Sequence, residues 1–125
     1  MAAAAGYVGG ALAYPDMEIG AAYDRAMDEL IFQPLDMTDT TFDFHAGESG
    51  NWAQPHGLDV DGNQTVMSNH FNRSVYPYRP AGGAFSTASD MAHYVQLELS
   101  RGLAPDGERL VSEENLLARR EPGGQ

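Results

Sequence analysis

The chain has 125 residues, a formal net charge of −11 and no cysteine. That length holds one domain with a core and not two, and the missing cysteines exclude disulfides and thiolate metal sites. All seven basic residues are arginines, set against 18 acidic ones, and such a field disfavours nucleic acid and anionic membranes, whose phosphates need clustered Lys and Arg.

No run approaches the roughly 18–20 continuous apolar residues of a membrane span, so no membrane insertion is expected. Met1–Leu12 lacks the basic start of an export signal, and Gly6, Gly9 and Gly10 interrupt it. Ala2–Ala13 reads instead as a helix with Val8 and Leu12 on one face. Three glycines weaken an isolated helix by about 1 kcal/mol each, so this one must gain from neighbours that pack closely, as a buried central helix does.

After Pro15 comes the clearest amphipathic pattern, Glu18–Phe32. Ile19, Tyr23, Met27, Leu30 and Ile31 form its apolar stripe, and Gln33 before Pro34 ends it. Asp36–Thr40 reads as a tight polar turn, with Leu35 and Met37 plugging the core. Residues 43–80 are irregular except for a hairpin, Ala53–Val60 against Gln64–Met67, signalled by Asp61-Gly62. Tyr76-Pro77-Tyr78-Arg79-Pro80 is expected to be an extended segment over the body, because proline lacks the amide a central strand needs.

Thr87 with Asp90 approximates a capping box for the next helix. Its predicted stripe is Ala88, Met91, Ala92, Val95 and Leu99, and Gly102 is its predicted stop. Ser112 caps a short last helix, with Glu113 and Glu114 at its start and Arg119 and Arg120 at its end, the order the helix dipole favours. Pro122-Gly123-Gly124 reads as a flexible tail. There is no repeat and no linker, so no internal boundary is expected.

Chemistry is signalled weakly by the residues themselves. Asp59-Val60-Asp61-Gly62-Asn63 has its glycine at the fourth place, not the sixth, and no late glutamate, so it is a turn rather than a calcium loop. His45, His56, His70 and His93 lack zinc-site spacing. No metal and no cofactor are expected. Ser86 follows Gly82-Gly83 without the G-x-S-x-G of a nucleophile elbow and reads as a structural residue at a helix start. Two sequons, Asn63-Gln64-Thr65 and Asn72-Arg73-Ser74, are three-residue matches that carry no argument alone.

Three segments together resemble the β-lactamase-like serine hydrolases: class C β-lactamases, related esterases and D-alanyl-D-alanine peptidases. They are Ile31-Phe32-Gln33-Pro34-Leu35-Asp36-Met37-Thr38-Asp39-Thr40, Pro80-Ala81-Gly82-Gly83-Ala84-Phe85-Ser86-Thr87-Ala88-Ser89-Asp90-Met91-Ala92, and Asp106–Leu116. Asp36 stands where the family usually has glycine, and is expected to enter the same left-handed turn less easily. The resemblance implies a mainly α fold with irregular loops and a small β-hairpin, the helical lobe of the α+β β-lactamase/transpeptidase-like fold. Residues 1–125 would be a partial domain comprising that lobe and a loop on the cleft wall.

The family's Ser-x-x-Lys is absent, since the sequence contains no lysine. Its Tyr-x-Asn would fall on Ala2 and Ala4 if Gly6-Tyr7 is the pair that follows it, and no Lys-Thr-Gly or His-x-Gly is present. No catalytic residue is therefore assigned. The resemblance implies substrate contacts from Tyr76, Tyr78, Pro80, Ala81, Gly82 and Gly83, and a small-molecule ester or amide substrate for the parent enzyme. The expected function is a segment of such a hydrolase, inactive alone and prone to self-association through exposed apolar surface. A stand-alone binding or scaffold protein is the alternative, and a hydrolase using Ser86 with a histidine is a third reading.

Overall fold

The computed structural model describes residues 1–121; the predicted 122–124 tail lies outside the described residues. Helices α1 (Ala2–Ala13), α2 (Ile19–Met27), α3 (Phe44–Gly47), α4 (His70–Arg73), α5 (Ala88–Leu99) and α6 (Glu113–Ala118) alternate with loops and one hairpin, β1 (His56–Leu58) and β2 (Gln64–Val66). The mainly α fold with a two-stranded antiparallel hairpin is as expected.

Glycine decides how α1 packs. A Cβ on Gly10 would lie 2.6 Å from the Tyr23 backbone, and one on Gly6 would lie 2.5 Å from Pro80 Cβ. The bare face of α1 thus meets α2 and the Pro80 loop, which is the close approach the composition predicts. Val8 and Leu12 lie on the other side, Leu12 being 79% exposed. Their shared face is therefore not the buried one.

Glu18 caps α2, its carboxylate accepting from Gly20 N at 2.9 Å and Ala21 N at 3.0 Å. Those two backbone bonds hold its pKa below the usual range. The helix does not run unbroken to Phe32 as predicted. Asp28–Phe32 is a π-helical turn, with Gln33 N donating to Asp28 O at 2.9 Å. The extra residue per turn rotates the end of the stripe. Phe32 and Leu35 enter the core, while Leu30 and Ile19 face outward.

The core comprises Tyr23, Phe32, Leu35, Met37, Phe42, Leu97 and Ala104, with Tyr7, Met27, Ile31, Tyr94 and Leu110 packed on its edge. Rings run through it from Tyr7 to Tyr23 (5.6 Å), Phe42 (5.3 Å) and Phe32 (5.7 Å), distances typical of attractive aromatic pairs. Leu35 and Met37 are buried as expected, and Asp36 takes a positive φ of 56° between them.

The hairpin is shorter than predicted, pairing His56 with Val66, Gly57 with Thr65 and Leu58 with Gln64. Asp59 closes the turn: its N donates to Asn63 O at 2.9 Å, and its Oδ1 accepts from Asp61 N and Asn63 N, each at 2.9 Å. Backbone bonds therefore hold this carboxylate, as a turn requires.

Two further expectations are corrected at α5. The predicted stripe Ala88, Met91, Ala92, Val95 and Leu99 is exposed, Leu99 at 78%, while Asp90 and Leu97 are buried and Tyr94 packs on the core. Asp90 fixes this rotation by turning its carboxylate inward. The predicted stop is displaced by one residue: Gly102 N donates to Leu97 O at 2.9 Å, and Arg101, at φ 57°, takes the left-handed position before it. Gly102 is still required, because its φ is 97° and a Cβ would lie 2.1 Å from Val111 O.

Helix α6 begins as expected, with Asn115 N donating to Ser112 Oγ at 3.2 Å. Arg119 and Arg120 both reach Glu98 at the end of α5, Arg120 at 2.7 Å. Hydrogen bonds from Arg120 and Arg119 lower the Glu98 pKa from 4.5 to about 2. The unfolded chain therefore binds the extra proton first, so this contribution is complete above about pH 4.5 and lost as pH falls to about 2. The arginines are half exposed, so after screening the pair is expected to contribute about 1 kcal/mol. Glu98→Gln should lose that amount in urea melts at pH 7 and show a flatter acid limb than the parent chain.

Candidate functional site

Two polar junctions position the segments that resemble the serine hydrolases. The first joins Ile31–Thr40 to Pro80–Ala92. Thr41 and Phe85 form an antiparallel bridge, with Thr41 N donating to Phe85 O at 2.9 Å and Phe85 N to Thr41 O at 2.8 Å. Beside it, Asp90 Oδ2 accepts from Asp39 N at 2.9 Å and from Thr40 Oγ1 at 2.6 Å. Only half of the expected capping box forms: Thr87 Oγ1 accepts from Asp90 N at 3.1 Å. The Asp90 carboxylate serves the Asp39–Thr40 turn instead, because that turn offers two donors to a buried acceptor.

Ser86 belongs to this junction. Its Oγ lies 2.8 Å from Thr40 Oγ1, and His93 Nδ1 is 3.1 Å from Asp36 O. These contacts give Ser86 and His93 scaffold roles rather than the geometry of a nucleophile with its base.

The second junction holds the loop expected to border substrate. Tyr76–Ala81 is a 3-10 helix, with Pro77 near its start and a kink at Tyr78. The extended form predicted here gives way because proline fits an early helical position as well as an extended one. Arg79 points inward and is 6% exposed. It donates to Asp24 through Nε (2.6 Å, Oδ1) and Nη2 (3.0 Å, Oδ2), and through Nη1 to Tyr7 Oη (3.2 Å) and Tyr76 O (3.3 Å). Its guanidinium also sits 4.3 Å from the Tyr76 ring centre. Burial opposes its charge, but the hydrogen bonds and charge of Asp24 outweigh this and raise its pKa overall.

The six residues expected to touch substrate divide around this arginine. Tyr76 lines a cleft of about 710 Å³ together with Asp24, Phe44 and Arg73, and its ring meets Phe44 edge-on at 6.1 Å. Tyr78 projects outward at 66% exposure. Pro80 turns to Gly6 of α1, and Ala81 and Gly82 are exposed. Gly82 has φ 144° with open space where a Cβ would stand, whereas a Cβ on Gly83 would lie 2.6 Å from Arg79 Cβ. Gly83 is thus bare because of Arg79, and Gly82 because of its backbone angle. The structure brings Tyr76 to the cleft and does not gather the other five beside it.

Arg79 is the residue that sequence reasoning missed. The available signal was a lone arginine between aromatic and proline residues in an acidic chain, and its partner is Asp24 on α2.

With two of the three segments of the resemblance joined in space, the wider comparison agrees. The beta-lactamase family model matches residues 2–124, and the chain belongs to that family, which is of the serine-hydrolase type. A solved structure, that of the octameric penicillin-binding protein homologue from Pyrococcus abyssi, is similar at 25% identity with a TM-score of 0.58. The similarity covers 75% of this chain and 19% of that one. No curated protein sequence matches. Among the described residues no helix is long and apolar enough to cross a membrane.

Proposed function

We propose that residues 1–125 form the helical lobe and one cleft wall of a serine hydrolase that cleaves small-molecule esters or amides through an acyl-enzyme. The observation that carries this is the Asp90 junction, which locks two family-like segments into one unit beside the Pro80–Gly83 loop. In this reading Tyr76, Tyr78, Pro80, Ala81, Gly82 and Gly83 lie along the substrate's path. The exposed Gly82, with open space where a Cβ would stand, supports that role, since a ligand can approach its backbone directly.

Serine attack needs a base and oxyanion donors. The sequence contains no lysine, so the proposal assigns the Ser-x-x-Lys nucleophile to residues outside these 125. Groups that act as a unit fail together when one is missing, and the chain alone is therefore inactive. The exposed stripe of α5 would be covered by the rest of the enzyme and, uncovered, favours self-association.

A fluorophosphonate probe and a chromogenic ester tested on the 125-residue chain should give neither labelling nor turnover above buffer. Covalent labelling mapped to Ser86 would overturn the proposal in favour of catalysis within this segment. Size-exclusion chromatography separates the scaffold alternative: a clean monomer with a cooperative melt favours it, and concentration-dependent association favours the uncovered lobe.

A further inference from the structure

A second cleft, of about 910 Å³, opens between the Thr38–Thr41 turn, residues 46–53 and the start of α5. Its volume is within the usual range of small-molecule sites. Among the described residues no arginine or histidine lines it, and the one carboxylate belongs to Asp39. Hydroxyl and amide side chains make up most of the wall, beside the rings of Phe85 and Trp52.

Several of these groups are occupied: Thr40 and Ser86 bond each other, and Thr87 accepts from Asp90 N. Thr38, Asn51 and Trp52 differ. Their side-chain polar atoms have no protein partner among the described residues. Together they offer a hydroxyl, a carboxamide with two donors and one acceptor, and an indole N–H beside an aromatic face.

We infer that this cleft binds a neutral oligosaccharide, with one sugar ring stacked on Trp52 and its hydroxyls bonded to Thr38 and Asn51. A sugar ring presents an apolar C–H face and a rim of hydroxyls, which matches an aromatic plate flanked by uncharged donors and acceptors. An anionic ligand finds no cation here and meets a chain of net charge −11. A cationic ligand would find a single carboxylate in this cleft, whereas Asp24, Asp28 and Asp43 line the other one. The inference stands independently of the hydrolase proposal, since it uses no catalytic group.

Trp52 is the sole tryptophan, so its emission reports on this part of the molecule directly. It also lines a neighbouring pocket with Glu48 and Arg73, but Thr38 and Asn51 do not. The intact chain would be titrated with cellotetraose, maltotetraose and tetra-N-acetylchitotetraose, with oligogalacturonate as the anionic control. The expected result is a saturable emission change with at least one neutral tetrasaccharide and none with the anion. Thr38→Val and Asn51→Leu, both at exposed positions, should each weaken binding by about fivefold, the equivalent of one lost hydrogen bond. No saturable change with any of the three up to about 10 mM, a range that would detect millimolar binding, would overturn the inference. So would affinities in both variants equal to that of the unchanged chain.

Discussion

Replacing Asp24 by alanine is expected to cost about 3–5 kcal/mol, enough to unfold much of the chain at room temperature. The effect comes from what is left behind. Arg79 is 6% exposed and would keep its charge without the carboxylate that holds two of its N–H groups. The reverse change, Arg79→Leu, should cost less, because the Asp24 side chain is 35% exposed and can turn to water. Replacing both by leucine should recover part of the loss, as removal of a whole buried pair usually does. Urea denaturation of the three variants checks the order. A loss below about 1 kcal/mol for Asp24→Ala would show that the pair is an ordinary surface bridge and does not hold the Tyr76–Ala81 segment against α1 and α2.

The second large effect is expected at Asp90. Alanine there removes the acceptor for Asp39 N and Thr40 Oγ1 in a buried setting. Bonds to a charged group contribute about 1.5–3 kcal/mol each, and a backbone N–H left without a partner adds a penalty. A total loss of about 2–4 kcal/mol follows from those magnitudes. Thr40→Val should cost less, because it leaves the Asp39 bond intact. A double-mutant cycle between the two positions should give a coupling of at least about 1 kcal/mol. Additive losses would mean that the Thr40 bond contributes nothing and that the Asp90 carboxylate acts through Asp39 N alone.

These two junctions also mark the boundary of what could be read from the sequence. Local patterns were legible: the start of α5 at Thr87, the turn through Asp36, and the burial of Leu35 and Met37 follow from caps, turn chemistry and proline positions. So was the need for close packing at α1, which Gly6 and Gly10 satisfy. The side chains that cross between elements were not legible. Asp90 looked like a local cap and Arg79 like one member of an extended run, because their partners lie 51 and 55 residues away in sequence.

The amphipathic reading failed in an instructive place. Periodicity assigned Met91, Val95 and Leu99 inward, yet the Asp90 face is buried and that stripe is exposed. A stripe predicts that a face will be covered, and says nothing of whether the covering surface lies within the same 125 residues. The π turn at Asp28–Phe32 displaced Leu30 for a different reason, since one extra residue breaks the 3.6-residue period on which the pattern rests. For the site, the resemblance singled out the Pro80–Gly83 loop as the border of a substrate cleft. It did not foresee that Gly83 is set by Arg79, or that Tyr76 alone of the six lines the cleft with Asp24.

In the proposed enzyme these residues serve as a lobe and cleft wall for a nucleophile they do not contain. Sequencing the DNA on both sides of the coding region tests it most directly. An in-frame Ser-x-x-Lys and Tyr-x-Asn upstream, and a Lys-Thr-Gly or His-x-Gly downstream, are the expected result. An upstream stop codon with a ribosome-binding site before Met1 would contradict it, and the chain would then be a binding or scaffold protein made as it stands.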